Sequence, residues 1–375
     1  MTMSFINDEL NELQERHLRR GMRIVSGAQS RTIDVDGKKC INFCSNNYLG
    51  LADDLRIIEA ATKSLNRDGF GSGASRLVCG NMQVHEELEK AVAVIKKQES
   101  ALVFNSGYGA NGGTIAALMG RDDIIFSDKL NHASIIDGIV LSRAEFKRYP
   151  HLDMEALEQG LKNVVGAGKK MIITDSVFSM DGDIAPLRDI VSLAKQYEAM
   201  VYVDEAHAFG VLGEHGGGLV EELGLQQDID VQMGTLSKAA GCFGAYVAGP
   251  TALREYLINH ARSFIYTTGL PPAMAAAALC AVRLMADKDE GGVRREQLQK
   301  NADYLREGIK ALGFDIMNST TPIIPVMVGD SARALAMSRQ LFDQGIFVSA
   351  IRPPTVPVNQ ARLRVTVMAT HTEAD

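Results

Sequence analysis

Two polar side chains follow short apolar segments in the middle of the chain, where a ligand pocket is expected. Lys238 comes shortly after the apolar segment 230–235, and Asp204 ends the apolar segment that begins at residue 200. A lysine whose pKa is lowered by burial can form a Schiff base with an aldehyde. A buried carboxylate requires a cationic partner. A protonated pyridine nitrogen would be such a partner, and a ring protonated in this way acts as an electron sink.

Two histidines and a glycine-rich segment complete a candidate ligand site. His207 follows Asp204 by three residues, and His132 could stack on a flat ring. Residues 107–112 match the pattern G-x-G-x-x-G, and a helix N-terminus at this point would bind a phosphate. Together these features indicate pyridoxal phosphate. The glycine pattern also leaves open a nicotinamide dinucleotide, with Asp128 as the ribose-binding acid, or a tight turn without a ligand.

The elements that must position these residues are predicted from alternating apolar and amphipathic segments. We predict strands at 101–105, 123–127, 170–174, 200–204, 230–235 and 245–248, and helices at 111–119, 133–140 and 187–197. This alternation predicts an α/β fold with a mostly parallel sheet. Ligands of such sheets bind beyond the carboxyl ends of the strands, where Lys238 and Asp204 lie.

The end of the chain has a different pattern. Helices at 273–286 and 294–312 and strands at 322–328, 346–350 and 361–367 predict a smaller α+β domain. We therefore predict an N-terminal arm and helix at 1–45, a large domain at 46–270 and a small domain at 271–375. The arm is expected to pack with the C-terminal part, because it is too short to fold alone.

Composition excludes several classes of protein. Of 375 residues, 46% are hydrophobic and 23% are charged, which is typical of a globular chain. The net charge of −7 argues against non-specific nucleic-acid binding, and the longest apolar stretch is too short to span a membrane. The five cysteines form no CxxC pair, and the start of the chain has no apolar signal-peptide core. These features predict a reduced, cytoplasmic protein without a structural metal.

Several longer segments resemble the α-oxoamine synthase family. They are NFCSNNYLG at 42–50, SVFSMDGD at 176–183, DEAH at 204–207, TLSK at 235–238 and ARLR at 361–364. The resemblance covers nearly the whole chain. It implies a fold-type I transferase that depends on pyridoxal phosphate, with a large domain whose mostly parallel sheet is flanked by helices and a smaller α+β domain. Such enzymes condense an amino acid with an acyl thioester and release carbon dioxide.

Within that family, one segment indicates the substrates. Residues 350–357, AIRPPTVP, most resemble the members that join L-alanine to a pimeloyl thioester in biotin synthesis. The acyl carrier could be coenzyme A or an acyl-carrier protein. The nearest alternative is a sister synthase that uses glycine or serine with another acyl-CoA. A nicotinamide-dependent oxidoreductase would leave Lys238 and Asp204 without a role, and a non-catalytic partner subunit would be expected to lack Lys238.

The resemblance also implies roles for individual residues. Lys238 would bind the cofactor covalently and move protons at the substrate α-carbon, and Asp204 would pair with the pyridinium nitrogen. His132 would stack on the ring and touch the substrate, and His207 would contact the phenolic oxygen. The residues expected to line the cofactor and its phosphate are Gly107, Tyr108, Ser179 and Thr235.

Further roles concern the substrates and a homodimer. Thr267 and Thr268 would reach the phosphate in the partner subunit. Arg364 would bind the amino-acid carboxylate, although Arg362 lies on the same strand face and could do so instead.

Arg20 and Thr355 would touch the acyl substrate. Arg19 is an alternative to Arg20, and a solvated helix face would equally explain the pair. Family members usually continue past residues 370–371 with a closing helix, so we expect the small domain to be truncated. Tyr108 replaces a phenylalanine of many relatives, a change that we expect to be silent.

Overall fold

The computed structural model describes residues 3–164, 166 and 168–375. Contacts between residues divide the chain into two compact units. The large unit comprises Leu49–Ser179 and Ile184–Glu296. The small unit comprises the described residues up to Tyr48, together with Met180–Asp183 and Gln297–Asp375.

The secondary structure alternates along most of the chain. The strands are β1 (Val25–Ser26), β2 (Thr32–Val35), β3 (Lys38–Asn42), β4 (Ser100–Phe104), β5 (Ile124–Asp128), β6 (Glu145–Tyr149), β7 (Lys170–Asp175), β8 (Met200–Asp204), β9 (Val231–Thr235), β10 (Ala245–Gly249), β11 (Ile323–Gly329), β12 (Ile346–Phe347), β13 (Ser349–Ile351) and β14 (Ala361–Thr366). The α-helices are α1 (Ser4–Glu15), α2 (Leu55–Asp68), α3 (Gln83–Lys96), α4 (Gly107–Leu118), α5 (Ala133–Ser142), α6 (Met154–Lys162), α7 (Leu187–Tyr197), α8 (Leu219–Glu222), α9 (Thr251–His260), α10 (Arg262–Ile265), α11 (Pro272–Ala286), α12 (Val293–Ala311) and α13 (Ser331–Asp343). Two short π-helical segments lie at Arg76–Gly80 and Lys288–Gly292.

The large unit is built on a seven-stranded sheet with the order β4-β10-β9-β8-β7-β5-β6. Strands β9, β8, β7, β5 and β6 pair in parallel, whereas β10 lies antiparallel to both of its neighbours, β4 and β9. Every residue of β5, β9 and β10 is buried, as expected when helices cover both faces of a sheet. The predicted α/β fold with a mostly parallel sheet is therefore confirmed.

Strand β6 is absent from the predictions. Its sequence, EFKRY, carries three charged side chains and only Tyr149 is buried. Charged side chains are common on edge strands, because they oppose pairing of the open edge with another chain. Hydrophobic periodicity therefore gives little signal for β6.

Helix α11 packs on α2 and α3 within the large unit. The small alanine side chains of α11 allow this close packing, and Ala275, Ala278 and Ala281 are completely buried. The small unit consequently resumes at Gln297, whereas the sequence predicts its start at residue 271.

The small unit contains two sheets. In the first, β1-β2-β3-β12, the short strand β12 pairs in parallel with β3, so that Ile346 lies opposite Ile41. The N-terminal segment thus packs with C-terminal residues, and it belongs to the small unit as a whole. The second sheet, β11-β14-β13, is antiparallel. The predicted strand 346–350 is divided between the two sheets.

Helix α1 has no buried residue, and residues 1 and 2 of the predicted arm lie outside the described residues. Within the part of the chain that the structure describes, no helix is both long and apolar enough to cross a bilayer.

Candidate active site

A cavity of about 190 Å³ lies in the large unit at the carboxyl ends of the central strands. It lies beside the first turn of α4 and beyond the ends of β7, β8 and β9. The predicted site residues that line it are Gly107, Tyr108, His132, Ser179, Asp204, His207, Thr235 and Lys238. It is also lined by Asn111, Ser134, Asp175, Ala206, Met233 and Ser237, to which the sequence assigns no role. Chain segments distant in sequence thus form one polar cavity.

Asp204 ends β8 and is almost completely buried. One carboxylate oxygen, Oδ1, accepts the N–H of Ala206 at 2.9 Å, and Oδ2 accepts a hydrogen bond from the amide nitrogen of Asn111 at 2.8 Å. Burial raises the pKa of the nearby Asp175 well above its usual range, and repulsion from Asp204 adds to this shift. The environment therefore favours the neutral form of Asp175, and Asp204 is the carboxylate placed to pair with a cation.

His132 is the N-cap residue of α5. Its Nδ1 accepts the backbone N–H of Ser134 at 3.3 Å and lies 2.7 Å from the Ser134 hydroxyl. The backbone N–H of His132 donates to Oδ2 of Asp175 at 2.7 Å. Burial lowers the pKa of His132, which favours a neutral imidazole beside the cavity.

Lys238 lies in a tightly closed loop after β9. Its backbone carbonyl accepts the N–H of Gly241 at 2.9 Å, and Leu236 donates to the carbonyl of Gly244 at 2.9 Å. The hydroxyl of Thr235 donates to that same carbonyl at 3.0 Å. The loop 235–244 is thus fixed at both ends, and Lys238 itself is half-buried at the cavity.

The first turn of α4 forms the other side of the cavity. Ser106 caps the helix, since its hydroxyl accepts the N–H of Gly109 at 3.1 Å. A Cβ on Gly107 would lie 3.1 Å from the terminal methyl group of Met233, so a side chain there would crowd the cavity wall. The free backbone N–H groups and the dipole at a helix N-terminus favour an anion such as phosphate.

A buried ion pair supports the loop after β8. Lys96, at the end of α3, donates to Oε2 of Glu205 and to the carbonyl of Gly217. Oε1 of Glu205 accepts the N–H of Val220 at 2.9 Å. Both charged side chains are essentially inaccessible to water. Glu205 directly follows Asp204, so the ion pair holds the backbone next to the carboxylate.

Thr267 and Thr268 are not among the residues that line this cavity. They follow α10, and the carbonyl of Thr268 accepts a hydrogen bond from the side-chain amide of Asn105 at 2.8 Å. Thr268 also forms an isolated antiparallel bridge with Ser75. This segment is therefore tied to its own chain through the backbone, and the Thr268 side chain is exposed.

The two candidate carboxylate-binding arginines of the small unit differ in their surroundings. Arg362 is buried, and its guanidinium contacts the carboxylate of Asp181 and the carbonyl of Gln360, the latter at 3.1 Å. Arg364, two residues along β14, donates to the side-chain oxygen of Asn46 at 3.1 Å. Arg362 thus has an anionic partner within its own unit, whereas the bond described for Arg364 is to a neutral amide.

The two residues predicted to bind the acyl substrate contact each other. Nη2 of Arg20 donates to the hydroxyl of Thr355 at 3.0 Å, and both groups are exposed. Arg352, three residues before Thr355, donates to the carbonyl of His17. The small unit therefore places Arg20 beside the 350–357 segment that indicates the substrates.

Asp128 is not available for a ribose. Its Oδ1 accepts the N–H of Leu130 at 2.8 Å and lies 2.9 Å from Nδ1 of His151, and its Oδ2 accepts the N–H of Leu152 at 2.9 Å. The side chain is 1% exposed. The nicotinamide interpretation therefore loses its acidic residue, whereas the cavity offers pyridoxal phosphate an amine, a carboxylate, an imidazole and a helix N-terminus.

Comparisons with known proteins agree with this chemistry. Residues 38–375 match the family model of class I and II aminotransferases. The 8-amino-7-oxononanoate synthase of Geobacter sulfurreducens is 52% identical over 375 residues, which cover 100% of this chain and 95% of that protein. The protein of the same name from Marinobacter nauticus is 48% identical and covers 98% of this chain and 92% of its own length.

Two solved structures are also similar to this chain. A serine palmitoyltransferase from S. paucimobilis, with pyridoxal phosphate and myriocin bound, has a TM-score of 0.94 and 33% identity, covering 100% of this chain and 94% of that one. An 8-amino-7-oxononanoate synthase from Francisella tularensis has a TM-score of 0.77 and 32% identity, covering 89% and 93% of the two chains.

The chain belongs to the class I and II aminotransferase family. Its fold is that of the fold-type I transferases that depend on pyridoxal phosphate, as the predicted resemblance implies. Its cofactor is pyridoxal phosphate. Among its relatives it resembles the 8-amino-7-oxononanoate synthases over its full length.

Proposed function

We propose that this chain catalyses the decarboxylative condensation of L-alanine with a pimeloyl thioester. The products are 8-amino-7-oxononanoate, carbon dioxide and the free thiol, in a step of biotin biosynthesis. The observation that carries this proposal is the similarity, at about half of all positions and over the whole chain, to relatives named for this product. The cavity supports it, because its polar groups suit pyridoxal phosphate.

We assign a separate role to each polar residue of the cavity. When bound, pyridoxal phosphate supplies an electron sink for charge that develops at the amino-acid α-carbon. Lys238 holds the cofactor covalently through its amine and then, once freed, moves the proton at the α-carbon. Asp204 pairs with the ring nitrogen and keeps it protonated. His132 covers the ring face and excludes water, and His207 contacts the phenolic oxygen.

The remaining assignments concern the phosphate. Gly107, Tyr108, Ser179 and Thr235 line the cofactor, with the phosphate at the first turn of α4. We further propose that the chain forms a homodimer in which Thr267 and Thr268 approach the phosphate of the partner subunit. The exposure of the Thr268 side chain supports this role.

The small unit supplies the proposed substrate-binding groups. Arg364 binds the amino-acid carboxylate, an assignment supported by the engagement of Arg362 with Asp181. Arg20 and Thr355 contact the acyl substrate. The acyl group arrives on coenzyme A or on an acyl-carrier protein, and the protein works in the cytoplasm, which suits its five free cysteines.

The absorption spectrum of the purified protein tests this function. We expect a band from bound pyridoxal phosphate that changes with L-alanine but not with glycine or serine. Addition of a pimeloyl thioester should then yield 8-amino-7-oxononanoate, detected by mass spectrometry. The Lys238→Ala variant should lose the band, whereas Lys129→Ala, which removes an exposed lysine outside the cavity, should keep it.

A sister synthase is the second candidate, because the serine palmitoyltransferase has the higher TM-score of the two solved structures compared. A spectral response to serine or glycine instead of alanine would favour that activity and contradict the proposed substrate. Failure of Lys238→Ala to change the spectrum would contradict the covalent role of Lys238.

A further inference from the structure

Asn111, on the buried side of α4, connects the two groups proposed to act on the cofactor ring. Its amide nitrogen donates to Oδ2 of Asp204 at 2.8 Å and to the hydroxyl of Ser134 at 2.9 Å. Its amide oxygen accepts the hydroxyl of Tyr202 at 2.7 Å. The Ser134 hydroxyl in turn lies 2.7 Å from Nδ1 of His132. A continuous chain of hydrogen bonds therefore runs from Asp204 to His132.

The direction of each bond in this chain is fixed by chemistry. A carboxylate can only accept, so the NH2 group of Asn111 must face Asp204 and its oxygen must face Tyr202. Burial raises the pKa of Tyr202 well above its usual range, so the phenol keeps its proton and donates it to Asn111. Since the Ser134 hydroxyl accepts from Asn111, its own proton is free to point towards His132.

The backbone of Ser134 favours the same arrangement at His132. The N–H of Ser134 can only donate, and it points at Nδ1 of His132. At 3.3 Å this bond is long, and it favours an unprotonated Nδ1 without fixing it. The shorter contact, 2.7 Å to the Ser134 hydroxyl, fixes that state, because Asn111 donates to the hydroxyl oxygen and leaves its proton for Nδ1. Burial lowers the pKa of His132, which favours a neutral ring. A neutral imidazole without a proton on Nδ1 carries it on Nε2.

We propose that Asn111 is a positioning residue that orients the Asp204 carboxylate and, through Ser134, fixes His132 in the tautomer protonated on Nε2. This inference rests on the proposed function, because it assigns partners to residues that act on the cofactor. It leaves Nε2 as the nitrogen of the His132 ring that can donate a hydrogen bond. Tyr202, whose hydroxyl donates to Asn111, belongs to the same hydrogen-bond network.

Two pairs of variants test the proposal. Tyr202→Phe removes the hydroxyl that orients Asn111. Tyr246→Phe is its matched control, because Tyr246 is equally buried in the same sheet and its hydroxyl has no hydrogen-bond partner among the described residues. Asn111→Ala removes the amide itself. Asn301→Ala removes an asparagine of α12 that donates to carbonyls of the small unit only.

The first measurement is the dissociation constant of pyridoxal phosphate. We expect Asn111→Ala to weaken binding about tenfold, the usual effect of losing a hydrogen bond to a charged group. Tyr202→Phe should weaken it by a smaller factor, and Tyr246→Phe and Asn301→Ala should leave it unchanged. Equal effects of the two tyrosine variants would overturn the proposal, because loss of any buried hydroxyl would then suffice.

The second measurement detects the tautomer directly. Nitrogen-15 NMR of the full chain, labelled at its eight histidines, distinguishes protonated from unprotonated ring nitrogens. The His132 signals are identified by their loss in His132→Gln. We expect an unprotonated Nδ1 and a protonated Nε2, and a shift towards a mixture of tautomers in Asn111→Ala and Tyr202→Phe. A protonated Nδ1 in the unsubstituted chain would refute the assignment.

The two measurements separate this inference from the proposed function. The NMR experiment also works on protein without cofactor, so it tests the tautomer even if pyridoxal phosphate fails to bind. Absence of binding by the unsubstituted chain would count against the proposed function alone. Normal binding with an unchanged His132 tautomer in Asn111→Ala would count against the role of Asn111 alone.

Discussion

The buried ion pair between Lys96 and Glu205 gives the sharpest test of how the site is supported. Lys96→Met keeps a long apolar stem of similar shape and removes the charge. The side chains of Lys96 and Glu205 are 1% and 0% exposed, so Glu205 would be left charged without a cation or access to water. Breaking a buried pair in this way costs about 3–5 kcal/mol. We therefore expect Lys96→Met to lower the free energy of unfolding by about that amount.

Two comparisons show whether the buried charge is the cause. Lys63→Met breaks an ion pair with Glu59 at 2.7 Å, but these side chains are 74% and 63% exposed, so the loss of stability should be much smaller than for Lys96→Met. Adding Glu205→Gln to Lys96→Met should recover more than half of the loss, because the glutamine can still accept the N–H of Val220 without carrying a charge.

The assay is equilibrium unfolding in urea, followed by circular dichroism on the protein loaded with pyridoxal phosphate. The thermal midpoint should also fall, by roughly 10 °C for Lys96→Met, given about 2–4 °C per kcal/mol for a unit of this size. If Lys96→Met were no more harmful than Lys63→Met, the buried pair would not stabilise this loop. If the double variant were less stable than the single one, the uncompensated charge of Glu205 would not explain the loss.

Three further predictions concern pH, backbone and substrate. Burial lowers the pKa of His85, whose Nδ1 accepts the N–H of Met82. In the unfolded chain His85 binds a proton near pH 6.5, whereas in the folded chain it does so only at lower pH. The free energy of unfolding, measured in urea, should therefore decrease as the pH falls below about 6.5. The decrease should be smaller in His85→Gln. Gly218→Ala should lower the melting temperature, because φ is +100° and the added Cβ would lie 2.4 Å from Oε1 of Glu205; an unchanged midpoint would refute this. Arg364→Met should raise KM for L-alanine at least tenfold and change KM for the thioester much less, in steady-state kinetics; equal changes would contradict the assignment.

The candidate site residues could be predicted from the sequence by their residue type and their position after an apolar segment. Lys238, Asp204 and His132 each follow an apolar segment, and a strand end is the natural position for a ligand group in a parallel sheet. The apolar segments themselves predicted β5, β7, β8 and β9 within a residue or two, because buried strands must be apolar throughout. Local pattern thus predicted the core strands of the large unit and polar residues that line its cavity.

Other features of the sheet depend on pairing that no local pattern encodes. The antiparallel direction of β10 is set by its insertion between β4 and β9, strands that are far from each other in the sequence. The assignment of α11 to the large unit depends on its packing against α2 and α3. The apolar surface of such an element indicates that it is buried, but not which surface buries it.

The support of the site was likewise decided only by the tertiary structure. Asn111, Ser134 and Tyr202 come from α4, α5 and β8, and each is an ordinary polar residue when its segment is considered alone. Their proposed role depends on the fold, which brings their side chains within hydrogen-bond distance of one another and brings Asn111 within reach of Asp204. The sequence by itself predicted the groups that we propose to perform the chemistry. The tertiary structure decided which groups hold them, because a hydrogen-bond network requires atoms from distant segments to lie within about 3 Å.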